Sequence, residues 1–275
     1  KQESINTLLE MAELRKSGAV KALIAAGCLA QRYREEIQKE IPEVDVIVGT
    51  TAIDAIADAL EEVLAGKPQN YLKDISHMPA VYDHSAEHKR IVTTGGHYAY
   101  LKIAEGCDKH CSYCIIPKVR GHYRSIPMEE LILEAERLVS FGAKEIILVA
   151  QETTLYGMDL YGEKRLPELL KRLCAIAGVY WIRLLYCYPE EITDELIETI
   201  RAQDKVCSYL DIPIQHASDR ILKRMGRRTD RQELTDIITK LREQIPEICL
   251  RTTIIPGFPG ETQEEHESLL EFVAE

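Results

Sequence analysis

Hydrophobic positions in the first 66 residues alternate between two periods. Ile5, Leu8, Leu9 and Ala12 recur at helical spacing until Gly18, and the apolar run VKALIAA that follows reads as a strand. QRYREEIQKEI then reads as a helix ended by Pro42, VDVIVG as a buried strand, and IDAIADALEEVLAG as a helix closed by Gly66. This alternation predicts an open α/β layer domain over residues 1–66. The pattern begins abruptly and without an initiator methionine, so the chain is expected to be a piece of a longer one.

Periodicity fails across residues 67–97, where KPQNYLKDISHMPAVYDHSAEHKRIVTTGGH mixes prolines and charges and reads as a linker. Its histidines, His77, His84, His88 and His97, lack tight ligand spacing and read as parts of a polar loop. From Tyr98 the chain alternates strand and helix five times, with YAYLKIAEG, KEIILVA, VYWIRLLY, CSYLDIPI and ICLRTTII as the strands. Repeated βα units imply parallel strands, hence a barrel or an open doubly wound sheet over residues 98–275. In either architecture chemistry sits at the carboxyl ends of the strands. A cysteine-rich run follows the first strand, and AQETTLYG, YCYP, PIQHAS and PGFPGET follow the others, so five loops face one side.

A chain of 275 residues with 45% hydrophobic content buries enough core for one or two domains. No run approaches the roughly 18 consecutive apolar residues of a membrane span, and KQESINTLLEMAELRKSG lacks the apolar centre of a signal peptide. A cytoplasmic protein without a membrane partner is expected. The net charge of -11 argues against the broad basic surface of a nonspecific nucleic-acid binder and suits a basic partner. RMGRRTDR at 224–231 is a small basic patch, read as a solvated helix end.

Eight cysteines are too few and too uneven for a disulfide scaffold. Cys174, Cys187, Cys207 and Cys249 lie in apolar runs and read as buried thiols. EGCDKHCSYCIIPKVRG instead sets Cys107, Cys111 and Cys114 close together. Thiolates at such spacing hold zinc or an iron–sulfur cluster. Structural zinc wants four ligands, and recruiting His110 or His122 as the fourth has no paired motif behind it. A four-iron cluster on three cysteines keeps one iron open for a small molecule.

The C-x-x-x-C-x-x-C spacing, with Tyr113 just before its last cysteine, resembles the radical S-adenosylmethionine superfamily. The resemblance implies a partial βα barrel and a [4Fe-4S] cluster on Cys107, Cys111 and Cys114. It further implies S-adenosylmethionine on the open iron, Tyr113 against the adenine, and an electron donor that drives formation of a 5′-deoxyadenosyl radical. VKALIAAGCLAQRYREEIQKEIPEVDVIVG resembles the amino-terminal domain of the methylthiotransferases, in which a cysteine at the place of Cys28 joins two upstream cysteines on a second cluster. Those two are not in this chain. The fold expected is therefore α/β, a partial radical-SAM βα barrel preceded by a truncated open α/β methylthiotransferase amino-terminal domain.

Within that family KQESINTLLEMA, AQETTLYG and LDIPIQHASDRILKRMGR resemble the RimO type, which methylthiolates the β-carbon of an aspartate in ribosomal protein twelve of the small subunit. The tRNA enzymes usually show a G-Q-N-V-N-like segment where AQETTLYG stands. Two departures are visible: Ile126 replaces the arginine of an S-R-P segment, and the sixth βα unit and the TRAM domain do not follow the fifth helix. PGFPGET, with Gly257, resembles the superfamily's strand-end motif near the adenine and equally reads as a turn with a threonine cap. Gln151, Glu152, Gln215 and Ser218 are candidate partners of the cofactor's methionine and ribose parts, or loop caps. The rival readings are a tRNA adenosine methylthiotransferase and a noncatalytic zinc-binding module.

Overall fold

In the computed structural model, which describes residues 1–73, 75 and 91–275, the amino-terminal alternation becomes two short parallel strands among four helices. These are α1 (Gln2–Lys16), β1 (Ile24–Ala26), α2 (Cys28–Arg32), α3 (Arg34–Glu40), β2 (Val46–Val48) and α4 (Ile56–Leu64). β1 and β2 pair from Ile24↔Val46 to Ala26↔Val48. Ala12 of α1, with Leu8 and Met11 beside it, packs against Leu23, Ala25, Ile37, Ile41 and Ile47. The strand is shorter than VKALIAA because the Leu23 N–H donates to the Asp45 carboxylate at 2.8 Å, ahead of any ladder. That carboxylate also accepts both arms of the Arg15 guanidinium at 2.9 Å, tying the end of α1 to the turn before β2. The helix expected over QRYREEIQKEI breaks at Tyr33, whose φ of -119° and ψ of 33° leave the helical region.

The remaining elements run β3 (Tyr98–Lys102), β4 (Ala104–Glu105), α5 (Ile116–Arg120), β5 (Arg124–Ser125), α6 (Met128–Ser140) and β6 (Glu145–Val149). They continue with α7 (Met158–Tyr161), α8 (Leu166–Cys174), β7 (Trp181–Leu184), α9 (Asp194–Ala202), β8 (Val206–Asp211), α10 (Asp219–Arg224), α11 (Arg231–Gln244), β9 (Cys249–Arg251) and α12 (Gln263–Ala274). Two compact units result, Lys1–Asp83 with Ile115–His122, and His84–Cys114 with Tyr123–Glu275. Helix α5, expected within the second region, therefore belongs to the first unit, where the Val119 carbonyl accepts from the Thr50 hydroxyl at 2.7 Å. His77, His84 and His88 lie outside the described residues.

The second unit is built on a five-stranded sheet in the order β3-β6-β7-β8-β9, every neighbouring pair parallel. Spatial order follows chain order without reversal, so the winding is of the barrel kind and not doubly wound, and the sheet is open. Leu131, Ala135 and Leu138 of α6, and Leu166, Leu169, Leu170 and Leu173 of α8, repeat at helical spacing and are buried with Leu101, Ile146, Leu148, Ile182, Leu184 and Leu210 of the strands. Each such leucine or isoleucine removed from water stabilises the fold by about 1.5–3 kcal/mol. Rigid strands thus end in loops that start from defined points. The first is pinched at its base, because β4 and β5 pair antiparallel through Ala104↔Ser125 and Glu105↔Arg124.

Candidate active site

The cysteine run leaves β4 through Gly106, whose φ is 82° and whose N–H donates to the Gln151 Oε1 at 2.7 Å. Gln151, in the loop after β6, thereby holds the start of the run. Lys109 anchors its middle. The ammonium is 8% exposed, hydrogen-bonds Glu190 at 3.3 Å and Glu191, and lies 4.0 Å from Glu152. Burial alone would lower Lys109, but these carboxylates outweigh it and hold the ammonium above its ordinary value. Glu152 is fully buried, and burial pushes its carboxyl up to about 7 against the pull of Lys109. Its Oε2 has no hydrogen-bond partner.

The far side of the run is shaped by the segment after α10. The Ser112 N–H donates to the Met225 carbonyl at 2.9 Å and its hydroxyl to the Arg224 carbonyl at 3.0 Å. Gly226, at φ 73°, comes so near that a Cβ there would stand 2.9 Å from the His110 carbonyl oxygen. Met225 is fully buried and Arg227 is 7% exposed. The solvated helix end expected for RMGRRTDR is thus corrected: its middle is a packed support for the cysteines, because Gly226 admits close backbone approach. Arg227 donates from Nη2 to the Pro213 carbonyl at 3.0 Å and lies over the Tyr188 ring, 4.4 Å from the centroid. The Tyr188 hydroxyl is 3.6 Å from the Cys111 sulfur. Lys109, Tyr188 and Arg227 carried no distinguishing sequence signal; only the position of Lys109 inside the motif could have drawn notice.

Cys107 and Cys111 are buried, Cys114 is half-buried, and none of the three forms a disulfide. Burial first, then the charges of Glu152, Cys114 and Cys111, pushes the Cys107 thiol up to about 11, so the three sulfurs lie in one another's field. Among the described residues no three His, Cys, Asp or Glu side chains close on a single-ion point. Three thiols on one loop, in one another's field and beside the buried Lys109, are a donor set that fits a four-iron cluster.

The other sequence candidates divide. Tyr113 is 38% exposed, and burial of its hydroxyl holds that group above its ordinary value. Gln215 sits at φ 71° and stitches β8 to the loop after β9, through its N–H to Thr253 at 2.9 Å and its carbonyl from Ile255 at 2.8 Å. Its buried Oε1 has no partner. Ser218 caps α10, accepting from the Ile221 N–H at 3.4 Å and donating to Glu265 at 2.8 Å. Gly257 turns the chain at φ 74° with open space where a Cβ would be. Cys28 opens α2 in the first unit and is exposed.

Residues 101–273 match the radical SAM superfamily. The chain belongs to that superfamily. It is 62% identical over 273 residues to the ribosomal protein uS12 methylthiotransferase RimO of Lachnoclostridium phytofermentans, covering 99% of this chain and 61% of that protein. The RimO of Alkaliphilus oremlandii is 50% identical over 278 residues, covering 100% of this chain and 60% of that protein. The RimO-type resemblance is borne out at this identity, and the chain spans less than two thirds of either relative's length. Among solved structures, the radical S-adenosylmethionine methyltransferase TsrM of Kitasatospora setae superposes with a TM-score of 0.71 at 13% identity, over 97% of this chain and 56% of that one. The cobalamin-dependent S-adenosylmethionine radical enzyme OxsB gives 0.70 at 12% identity, over 100% of this chain and 42% of that one. These two share the fold.

Proposed function

We propose that this chain carries the radical-generating core of a RimO-type methylthiotransferase that modifies the β-carbon of an aspartate in ribosomal protein uS12. The observation that carries the reading is the braced three-cysteine loop at the end of the first strand of a parallel sheet, in a chain 62% identical to a uS12 methylthiotransferase. In this reading Cys107, Cys111 and Cys114 hold a [4Fe-4S] cluster, and Cys28 is one ligand of a second cluster whose other ligands come from outside this chain. The cluster, with S-adenosylmethionine bound and an electron from a donor protein, would supply one-electron chemistry at an unactivated C–H bond.

The chain's own residues position and shield. Gln151 holds the mouth of the loop through Gly106, and Lys109 with its three carboxylates fixes the middle. The half-exposed Tyr113 is offered to an adenine, and Glu152 Oε2 and Gln215 Oε1, buried without a hydrogen bond, are offered to the polar parts of the cofactor. Ser218 acts through the α10 cap and Gly257 by leaving room. A net charge of -11 attracts a basic ribosomal protein and repels tRNA. No described helix is long and apolar enough to cross a membrane, in keeping with a cytoplasmic setting.

Mass spectrometry of products decides the substrate. The full-length protein, reduced and supplied with S-adenosylmethionine, is given uS12 and tRNA separately; a methylthio mass gain on one aspartate of uS12 is expected. Methylthio-adenosine in the tRNA, with no gain on uS12, would overturn the substrate assignment.

A further inference from the structure

Among the described residues of the second unit, Arg227 is the buried cation with the fewest partners for its charge. Its Nη2 donates to the Pro213 carbonyl, while Nε and Nη1 are buried without a hydrogen-bond partner. Lys109 is balanced by Glu190, Glu191 and Glu152. Arg227 makes no ion pair within 4.0 Å among the described residues, and Glu190 is the one carboxylate whose field reaches it strongly. A guanidinium taken out of water is costly, and here only the field of Glu190, without an ion-pair contact, offsets that cost among the described carboxylates. The groups whose fields act on it are Glu190 first, then Tyr188, Tyr113 and Cys111. The Tyr188 ring lies under the guanidinium, and its hydroxyl reaches the Cys111 sulfur.

We infer that Arg227, together with Tyr188, sets the reduction potential of the group held by Cys107, Cys111 and Cys114. This inference rests on the radical SAM reading of the three cysteines. Three thiolates with a four-iron core form a net negative assembly, and one added electron makes it more negative. A fixed buried cation beside it favours the reduced form, and a hydroxyl on a ligand sulfur acts in the same sense. The electron comes from an external reductant, enters the cluster and breaks no bond in the protein. Gly226, next to Arg227, packs on the cysteine-bearing backbone at His110, and the Pro213 carbonyl after β8 holds the guanidinium, so its field is fixed at both ends.

The test is a potentiometric titration with dithionite and mediators, followed by electron paramagnetic resonance, on this chain reconstituted anaerobically with iron and sulfide. Arg227→Gln is expected to lower the equilibrium constant for one-electron reduction at least tenfold, which for a one-electron couple is about 59 mV. Arg227→Lys, which keeps the charge, should move it less. Tyr188→Phe should shift it in the same direction as Arg227→Gln. Arg201→Gln, on an exposed side chain of α9 paired with Glu198, should leave it in place. If Arg227→Gln fails to load iron, Arg227→Lys and Tyr188→Phe carry the measurement. Parent potentials in Arg227→Gln or in both other variants overturn the inference, as does weakened S-adenosylmethionine binding with unmoved potential, which would make Arg227 a cofactor ligand. Absence of any four-iron signal in the parent would overturn the radical reading itself, and this inference with it.

Discussion

Gly226 is the residue at which the cysteine loop has least room. A side chain there meets two costs, the left-handed φ of 73° and the His110 carbonyl 2.9 Å away. Gly162 shares the conformation, at φ 75°, but has nothing within 4 Å of its missing Cβ. Gly162→Ala is therefore expected to cost about 1 kcal/mol, and Gly226→Ala about 2–3 kcal/mol with reduced iron loading, read by urea unfolding and iron analysis. Equal losses would refute the packing argument. Glu152 offers a pH test. Its carboxyl titrates near 4.5 when unfolded and is pushed up to about 7 by burial, so the folded chain binds the extra proton between these values. Its contribution to stability falls as pH rises through that window. Glu152→Gln should thus gain on the parent as pH goes from 5 to 8; the reverse trend would mean that Lys109 keeps the carboxylate ionised throughout. For Tyr113, replacement by leucine should weaken S-adenosylmethionine binding by ~1–3 kcal/mol without loss of iron, if its ring stacks on the adenine.

At the scale of elements, the caps locate where chemistry-bearing loops end and helices begin. Thr262 caps α12 and forms a capping box with Glu265, so the threonine legible in PGFPGET as a cap serves as one. What the local pattern left out is the partner: Glu265 also takes the Arg220 guanidinium and the Ser218 hydroxyl from the start of α10, binding two strand-end loops together. Arg220 first, then the Thr262 N–H, lowers the Glu265 carboxyl to about 2. Because the folded value lies below the unfolded one, this stabilisation is complete above about 4.5 and is lost as pH falls toward 2. Glu265→Gln is expected to be less stable than the parent at pH 6, with the gap closing in acid, as thermal unfolding across pH would show. A constant gap would mean a loss of packing in place of a loss of charge. Helix periodicity was readable in α6 and α8 because their buried positions repeat within each helix, whereas the break at Tyr33 was not, since backbone dihedrals and not hydrophobic pattern divide α2 from α3.

For the whole molecule, the net charge of -11 bears on encounter with partners more than on the fold. Under the proposed assignment, association of the full-length protein with uS12 should slow as salt rises from 50 to 200 mM, measured as an on-rate, because the screening length shrinks from about 14 Å to about 7 Å over that range. A salt-independent on-rate would remove charge from the account of substrate choice. The sequence by itself determined that strands and helices alternate, that the loops after the strands share one end, and that three thiols stand at the head of the first of them. Those properties depend on neighbours in the chain, which periodicity, capping residues and spacing report. Only tertiary structure decided that the strands lie in chain order in an open sheet, that residues 115–122 belong to the first unit, and that a basic run read as solvated supports the cysteines. Cys111 meets Tyr188 across 77 residues, and Ser112 meets Arg224 across 112. No local pattern encodes such meetings, because they arise when buried apolar faces stack the βα units and bring the strand ends side by side.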